Sequence, residues 1–311
     1  MTYVGYINQK LRTKLSATPS VVSFGQNIVT GSCLGGLTRG LPTQNGNMVI
    51  NTTNSEYTLT GAGFGLMTEG VNGIFFMKQQ DFLLLGMDHL VHTWNALRTR
   101  GLQTSFTIFA IVVDNGYEGP QSCMNNLSDF MSVSHIPGFT ISNKDDADRV
   151  IDQQLVAPGV RFIGVSQRLF RTPLSTVELG GELADPVNLI HKYGDGSDAT
   201  IVSMNFAFSE AMRLSQTFAD KGMEATVFNV PALAPTSWDA IIAHAQSTRR
   251  VVICDDSKGY NKPSTRLAYL LKTQVPECQV SVQERVRDDS WSWPNADKFV
   301  AEVHDFDSRA G

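Results

Sequence analysis

The sequence has few cysteines, no long apolar run and no excess of basic residues, and each absence excludes a class of protein. The four cysteines are scattered and form no Cys-x-x-Cys pair, which argues against a zinc site or a disulfide framework. The longest apolar runs, such as 106–113, have the length of a strand and are too short to cross a membrane. A net charge of -5 gives no general attraction to nucleic acid or to an anionic membrane. The first fifteen residues lack the apolar core of a signal peptide. The scattered cysteines suggest a reducing compartment, so we expect a cytoplasmic protein, and the charge and run lengths predict no nucleic-acid or membrane partner.

The hydrophobic pattern alternates between the spacing of helices and that of buried strands. Apolar residues recur every four positions from Tyr3 to Leu15, which predicts an amphipathic opening helix. Strands are predicted at 21–24, 106–113, 160–165, 200–204, 225–230, 250–255 and 279–282. Further helices are predicted near 56–67, 83–97, 142–155, 209–220, 238–245 and 264–272. This alternation predicts an α/β chain of two domains with largely parallel sheets.

The periodic pattern weakens between about residues 172 and 197, where prolines and glycines accumulate. We therefore predict a first domain at 1–175, a linker at 176–197 and a second domain at 198–311.

The segment from Glu56 to Gly65 contains a glutamate, four residues, Gly61, a small residue, two residues and Gly65. It resembles the signature of pyrimidine-binding domains in the transketolase-like thiamine-diphosphate enzyme family. Further matching segments are VVSFGQN (21–27), GGLTRGL (35–41), Asp81-Phe82, EGP (118–120), HIPGF (135–139) and GSDATIV (196–202). Their order is similar to that in β subunits of 2-oxo acid dehydrogenases and in the second half of transketolases. The resemblance implies a pyrimidine-binding fold followed by a transketolase C-terminal-like domain.

The resemblance assigns cofactor roles to three side chains. Glu56 is expected to bond to a ring nitrogen of thiamine diphosphate and to act as the catalytic proton relay. Phe82 occupies the position of an aromatic residue that stacks on the pyrimidine. Asn27 stands where relatives often carry an acidic residue and could make a polar contact. The alternatives are a surface glutamate that caps a helix and a phenylalanine of the core.

No metal ligand is expected in this chain. The family holds the diphosphate through magnesium bound by Gly-Asp-Gly and an asparagine about 25 to 30 residues later, both of which offer hard oxygen ligands. Gly194-Asp195-Gly196 has the tripeptide, but the only plausible downstream asparagine, Asn229, is too distant. The resemblance therefore implies an α subunit that carries the diphosphate and magnesium site, with an α2β2 assembly.

Three positions concern the small-molecule carbonyl substrate. Ser122 stands in place of a family histidine, and a hydroxyl group cannot replace imidazole as a general acid near neutral pH. Gln79 replaces a common aromatic residue and makes that wall polar. His135 matches the family's His-Ile-Pro-Gly and either approaches the substrate or makes a structural hydrogen bond. His89 and His92 are spaced for a metal, but packed or exposed histidines are favoured because no third ligand is apparent.

These features predict the β component of a two-component thiamine-diphosphate enzyme that catalyses ketol or acyl transfer or decarboxylates a 2-oxo acid. One alternative is a 2-oxo acid dehydrogenase β subunit that passes acyl groups to a lipoyl carrier. Another is a subunit that only scaffolds a partner, although a scaffold has no need of Glu56 as a proton relay.

Overall fold

The computed structural model describes residues 1–174 and 180–285. The chain divides into two compact units, Met1–Glu178 and Leu179–Gly311. Each unit contains a six-stranded sheet with helices between the strands. The predicted α/β class is confirmed. Within the described residues, no helix combines the length and the apolar character that a membrane crossing requires.

The first unit alternates strands and helices, although the hydrophobic pattern predicted only three of its six strands. Its strands are β1 (Val21–Gly25), β2 (Met48–Asn51), β3 (Asn72–Met77), β4 (Ser105–Val112), β5 (Gly138–Ile141) and β6 (Gly159–Ser166). Its α-helices are α1 (Tyr3–Ala17), α2 (Glu56–Thr68), α3 (Trp94–Leu97), α4 (Leu127–Ser134) and α5 (Lys144–Gln154). Short 3₁₀ helices lie at Leu34–Gly36 and Gln80–Gly86, and a π-helical turn lies at His89–Thr93.

The sheet of the first unit is parallel throughout, in the order β2-β1-β3-β4-β6-β5. All eight residues of the central strand β4 are buried. A parallel sheet is covered on both faces, so its inner strands are continuous apolar runs without alternation. This explains why β4 and β6 could be predicted from composition alone.

The second unit is built on a mixed sheet, in the order β12-β11-β9-β10-β8-β7. Its strands are β7 (Glu182–Asp185), β8 (Ile190–Tyr193), β9 (Ala199–Met204), β10 (Ala225–Val230), β11 (Arg250–Asp255) and β12 (Gln279–Glu284). Its helices are α6 (Phe208–Ala219), α7 (Asp239–Thr248) and α8 (Pro263–Gln274). Strands β9 to β12 pair in parallel, whereas β8 pairs antiparallel with both β10 and β7.

The predicted linker at 176–197 is wrong for most of its length. Strands β7 and β8 lie within it, and β8 is paired to β10 through Val227–Tyr193 and Asn229–His191. The two strands are short, and β7 is irregular, with a register shift between Leu183 and Asp185. Their pattern was therefore hidden by the surrounding glycines and prolines. Residues 175–179 and 286–311 lie outside the described residues, as do the corresponding parts of the predicted linker and second domain.

The predicted helix at 83–97 is three short helical segments of different pitch. Gln80–Gly86 is a 3₁₀ helix, His89–Thr93 a π-helical turn and Trp94–Leu97 an α-helical turn. A Cβ atom on Gly86 would come within 2.5 Å of the Thr60 hydroxyl oxygen on α2, which shows how closely the first segment approaches that helix.

Helix α2 packs directly on strand β4. Its buried face consists of Glu56, Thr60, Gly63, Phe64 and Met67, which follow helical spacing. A Cβ atom on Gly63 would overlap the ring of the β4 residue Phe106, so only glycine fits there. Phe64 meets the same ring edge to face, with centroids 5.2 Å apart.

Two glycines of α2 provide a matched test of this packing. Gly63→Ala should lower the free energy of unfolding by about 1–3 kcal/mol, because the added methyl group displaces Phe106. Gly65→Ala should leave stability unchanged or raise it by about 0.5–1 kcal/mol, because nothing lies within 4 Å of the new Cβ atom. Urea unfolding of the isolated chain measures both. Equal effects of the two substitutions would contradict the close contact.

Candidate functional site

The carboxyl edge of the first sheet collects four of the predicted site residues. Parallel strands end at the same edge, and ligands of open α/β sheets bind there. The four are Asn27 after β1, Glu56 at the start of the helix after β2, Gln79 after β3 and Ser122 in the loop after β4. Phe82 lies in the 3₁₀ helix that also follows β3.

His135 is not brought to this edge. It follows α4 and precedes β5, which runs parallel to β6, so it lies towards the amino edge of the sheet. The side chain of His135 is exposed, and its backbone has a left-handed conformation with φ of 55°. Its backbone N–H donates to the carbonyl oxygen of Met131 at 2.9 Å. Its side chain makes no hydrogen bond with the other described residues, and its substrate contact stays a prediction.

Glu56 is the first residue of α2 and is only 5% exposed. Its backbone carbonyl accepts a hydrogen bond from the Thr60 hydroxyl at 2.7 Å. Its carboxylate has no hydrogen bond or ion pair with any other described residue. The side chain is largely buried, but its unpaired oxygens are not among the fully buried atoms without a partner, so they stay accessible to a ligand. This position differs from that of an exposed capping glutamate.

The 3₁₀ helix that carries Phe82 borders the first turn of α2. Phe82 is partly buried, and its backbone N–H donates to the Gln79 carbonyl at 3.3 Å. Leu83 is buried, and the two side chains after it, Leu84 and Leu85, are 57% and 60% exposed. Apolar surface of this kind beside a candidate site is typical of a contact with another molecule.

Gln79 and Ser122 contact each other directly. The Gln79 Nε2 atom donates a hydrogen bond to the Ser122 Oγ atom at 2.8 Å. The turn around Ser122 is closed by two backbone hydrogen bonds of 3.0 Å, from Ser122 to Gly119 and from Glu118 to Ser122. The pair is uncharged, so it can bind and orient a polar group but offers no acid or base near neutral pH.

Asn27 lies in the turn that follows β1. Its φ of 61° is left-handed, a conformation that asparagine tolerates better than most residues. The preceding Gly25 has φ of 151°, and a Cβ atom there would overlap the carbonyl oxygen of Phe76 on β3. The Gly25 carbonyl also accepts a hydrogen bond from the Thr52 amide at 3.0 Å, which ties this turn to the segment before Glu56.

Two residues next to Gln79 were not predicted to have a role in the site. Asp81 accepts hydrogen bonds from the backbone N–H groups of Cys123 at 2.9 Å and Met124 at 3.1 Å. The Gln80 side-chain oxygen, in the amide orientation that suits its neighbours, accepts from the backbone at 126 and 127 at 2.9 and 3.3 Å. The signals in the sequence were the four-residue polar run 78–81, directly after β3, and the family match at Asp81-Phe82.

The loop after β4 is also anchored at its beginning. The buried Asp114 carboxylate accepts hydrogen bonds from the Ser166 hydroxyl at 2.6 Å and from the Arg168 side chain at 3.2 Å. Glu118 accepts from Asn115 at 2.7 Å and from Gln167 at 3.0 Å. These contacts fix the start of the loop to the end of β6.

His89 and His92, which have the spacing of metal ligands, are a packed and an exposed histidine. The His89 ring lies 4.4 Å from the Tyr57 ring, centroid to centroid, and its Nδ1 atom is 2.8 Å from the Thr93 hydroxyl. His92 is exposed and pairs with Asp88 at 2.9 Å. The described residues contain no group of three or more His, Cys, Asp or Glu side chains that could hold a metal ion.

Gly194-Asp195-Gly196 forms a surface turn between β8 and β9. Asp195 is exposed and pairs with Lys192 at 2.5 Å, and this pairing lowers the pKa of the Asp195 carboxyl. A Cβ atom on Gly196 would overlap the backbone of Glu224. The presence of glycine at 196 is therefore explained by close packing against the backbone, without a bound phosphate.

Comparisons with known proteins agree with this fold. The family described as "Transketolase, C-terminal domain" matches residues 190–263. The β subunit of acetoin:2,6-dichlorophenolindophenol oxidoreductase from Cupriavidus necator is 22% identical over 87% of this chain and 82% of its own length. The β subunit of the pyruvate dehydrogenase E1 component from Leifsonia xyli is 23% identical over 81% of this chain and 76% of its own. Residues 190–263 are thus similar to the transketolase C-terminal domain, and the chain as a whole is similar to these β subunits.

Two solved structures share the fold of this chain. A split-gene transketolase, described as an inactive β4 tetramer, superposes with a TM-score of 0.70 at 15% identity and covers 90% of this chain and 88% of its own. A 2-oxoglutarate:ferredoxin oxidoreductase from Magnetococcus marinus gives a TM-score of 0.61 at 10% identity over 97% of this chain. The match spans 64% of that longer protein.

The contact between Gln79 and Ser122 predicts an energetic coupling. In a double-mutant cycle with Gln79→Ala and Ser122→Ala, the change in the free energy of unfolding of the double variant should differ from the sum of the two single changes by about 0.5–1.5 kcal/mol. Urea unfolding measures the four proteins. Gln103→Ala is the control, because the Gln103 side chain donates to the nearby Gly101 carbonyl at 2.9 Å, and it should be additive with Ser122→Ala. Additivity in both cycles would show that the pair is not formed in solution.

Proposed function

We propose that the chain is the β component of a two-component thiamine-diphosphate enzyme in which Glu56 contacts the pyrimidine ring. The observation that carries this proposal is the largely buried residue Glu56, whose carboxylate has no bond to another described residue, at the carboxyl edge of the first sheet. A partnerless carboxylate at this position fits a ligand that presents a ring nitrogen to it.

The residues present fit the cofactor's pyrimidine half. Glu56 would hold a proton shared with a pyrimidine nitrogen and so favour the reactive form of the ring. Phe82 would cover the ring face, and Asn27 would offer a polar contact from the turn after β1. Thiamine diphosphate supplies the carbanion chemistry, while this chain binds, orients and keeps water from the ring.

The diphosphate and magnesium would be held by an α subunit, because the described residues offer no metal-binding group. The surface beside Glu56 suits such a partner. Tyr57, Leu84 and Leu85 are more than half exposed, and the exposed side of α2 also carries the small residues Ala62 and Gly65. Small and aromatic side chains without charge allow close packing of a second chain. An α2β2 assembly would form two such sites.

Ketol or acyl transfer is the reaction type that we favour. The pair of Gln79 and Ser122 is uncharged. His135 lies towards the other edge of the sheet, so it does not place an imidazole beside this pair. Proton transfers at the substrate would then depend on the cofactor and the partner. Decarboxylation of a 2-oxo acid with delivery to a lipoyl carrier is the second candidate, favoured by similarity to the pyruvate dehydrogenase β subunits.

The proton role of Glu56 can be tested by its substitution. In the complex with the α subunit, Glu56→Gln should slow hydrogen–deuterium exchange at the reactive carbon of the thiazolium ring by about 100-fold or more, because the amide cannot share a proton. Proton NMR after acid quench measures this exchange. The control is Glu69→Gln, which changes an exposed residue at the end of the same helix and should leave the rate unchanged. An unaltered rate with Glu56→Gln would exclude the relay.

The partner surface gives a separate prediction. Leu84→Asp places a charge on exposed apolar surface and should weaken binding of the α subunit by about 30-fold or more, as expected for a central interface residue. Fluorescence anisotropy or analytical ultracentrifugation measures the dissociation constant. Val187→Asp makes a similar change at another exposed position and should bind normally. The same affinity for both variants would place the interface elsewhere.

A further inference from the structure

The loop between β4 and α4 has no regular secondary structure, so its backbone groups need partners from other parts of the unit. Its start is fixed by Asp114 and Glu118, as described above. Its second half is held by three consecutive side chains, Gln79, Gln80 and Asp81, which we name the 79–81 segment. The members of this segment contact, in turn, Ser122, the backbone at 126 and 127, and the backbone at 123 and 124.

Asp81 is the charged member of the segment and is 7% exposed. One carboxylate oxygen, Oδ1, accepts both backbone N–H groups, from Cys123 and Met124. The other, Oδ2, is buried and has no hydrogen-bond partner among the described residues. Charge-assisted hydrogen bonds of this kind are about twice as strong as neutral ones, but the buried second oxygen is costly. Such a carboxylate is better explained by the geometry that it fixes than by net stability.

The geometry fixed by Asp81 includes Ser122. Ser122 immediately precedes Cys123, and the backbone N–H of Cys123 donates to Asp81. Gln79, which donates to Ser122, lies two residues before Asp81. We propose that Asp81 is a positioning residue that sets the distance between Ser122 and Gln79. The substrate-facing role of that pair rests on the proposed function, whereas the positioning itself does not. Asp81 thereby maintains the shape of a polar wall that the two side chains form together.

Hydrogen exchange of the chain tests the first half of this inference. Asp81→Ala should accelerate exchange of the amides at 123 and 124 by about tenfold or more, because both lose a charged acceptor. Asp81→Asn keeps one oxygen and should give an intermediate rate. Asp88→Ala removes an exposed aspartate nearby and should match the parent protein. Rates in both Asp81 variants equal to those of Asp88→Ala would overturn the inference.

The second half is tested by the coupling between Gln79 and Ser122. In an Asp81→Ala background the coupling measured by urea unfolding should vanish, and in an Asp81→Asn background it should return in part. A residue that only stabilised the fold would lower all four free energies equally and leave the coupling intact, which would overturn the inference. Both measurements use the chain without substrate, so they decide the positioning role even where the complex shows no activity.

Discussion

The contact between the bare backbone at Gly63 and the ring of Phe106 fixes how the rest of the candidate site is arranged. Side chains seven residues apart lie on the same face of a helix, so the face that Gly63 presses onto β4 also contains Glu56. A carboxylate is thus held on a face that is otherwise suited to the core. The burial of Glu56 follows from the packing of the whole helix, which leaves its carboxylate unpaired at the carboxyl edge of the sheet, where a ligand can reach it.

Much of the fold could be predicted because the inner strands of a parallel sheet are continuous apolar runs. β4, β6 and β9 to β11 were placed to within about one residue. Five of the described strands were missed. Of these, β3 and β5 are almost wholly buried and were overlooked, whereas β2, β7 and β8 lack this signal. β2 lies at the edge of its sheet with three of its four residues exposed, and β7 and β8 are short and rich in polar residues. Edge strands are defined by pairing, which a local pattern does not contain.

The candidate site residues were proposed from resemblance to a family, and their positions relative to the sheet could not be read from the local pattern. Glu56, Phe82, Asn27, Gln79 and Ser122 follow strands that end at one edge, and their family roles are still predictions. His135 precedes a strand, and the parallel direction of β5 places it towards the other edge. Asp81 escaped prediction because its partners lie 42 and 43 residues away, beyond any helix or strand period.

The same topology explains why polar side chains, rather than backbone pairing, shape this site. At the carboxyl edge of a parallel sheet the chain leaves each strand into a loop, and no neighbouring strand continues there to accept its hydrogen bonds. The loop after β4 is therefore organised by side chains from the segments that follow β3 and β6. Such contacts can be exchanged one at a time without altering the sheet. The polar wall at Gln79 and Ser122 can thus diverge among relatives, whereas the helix that holds Glu56 is constrained by the core beneath it.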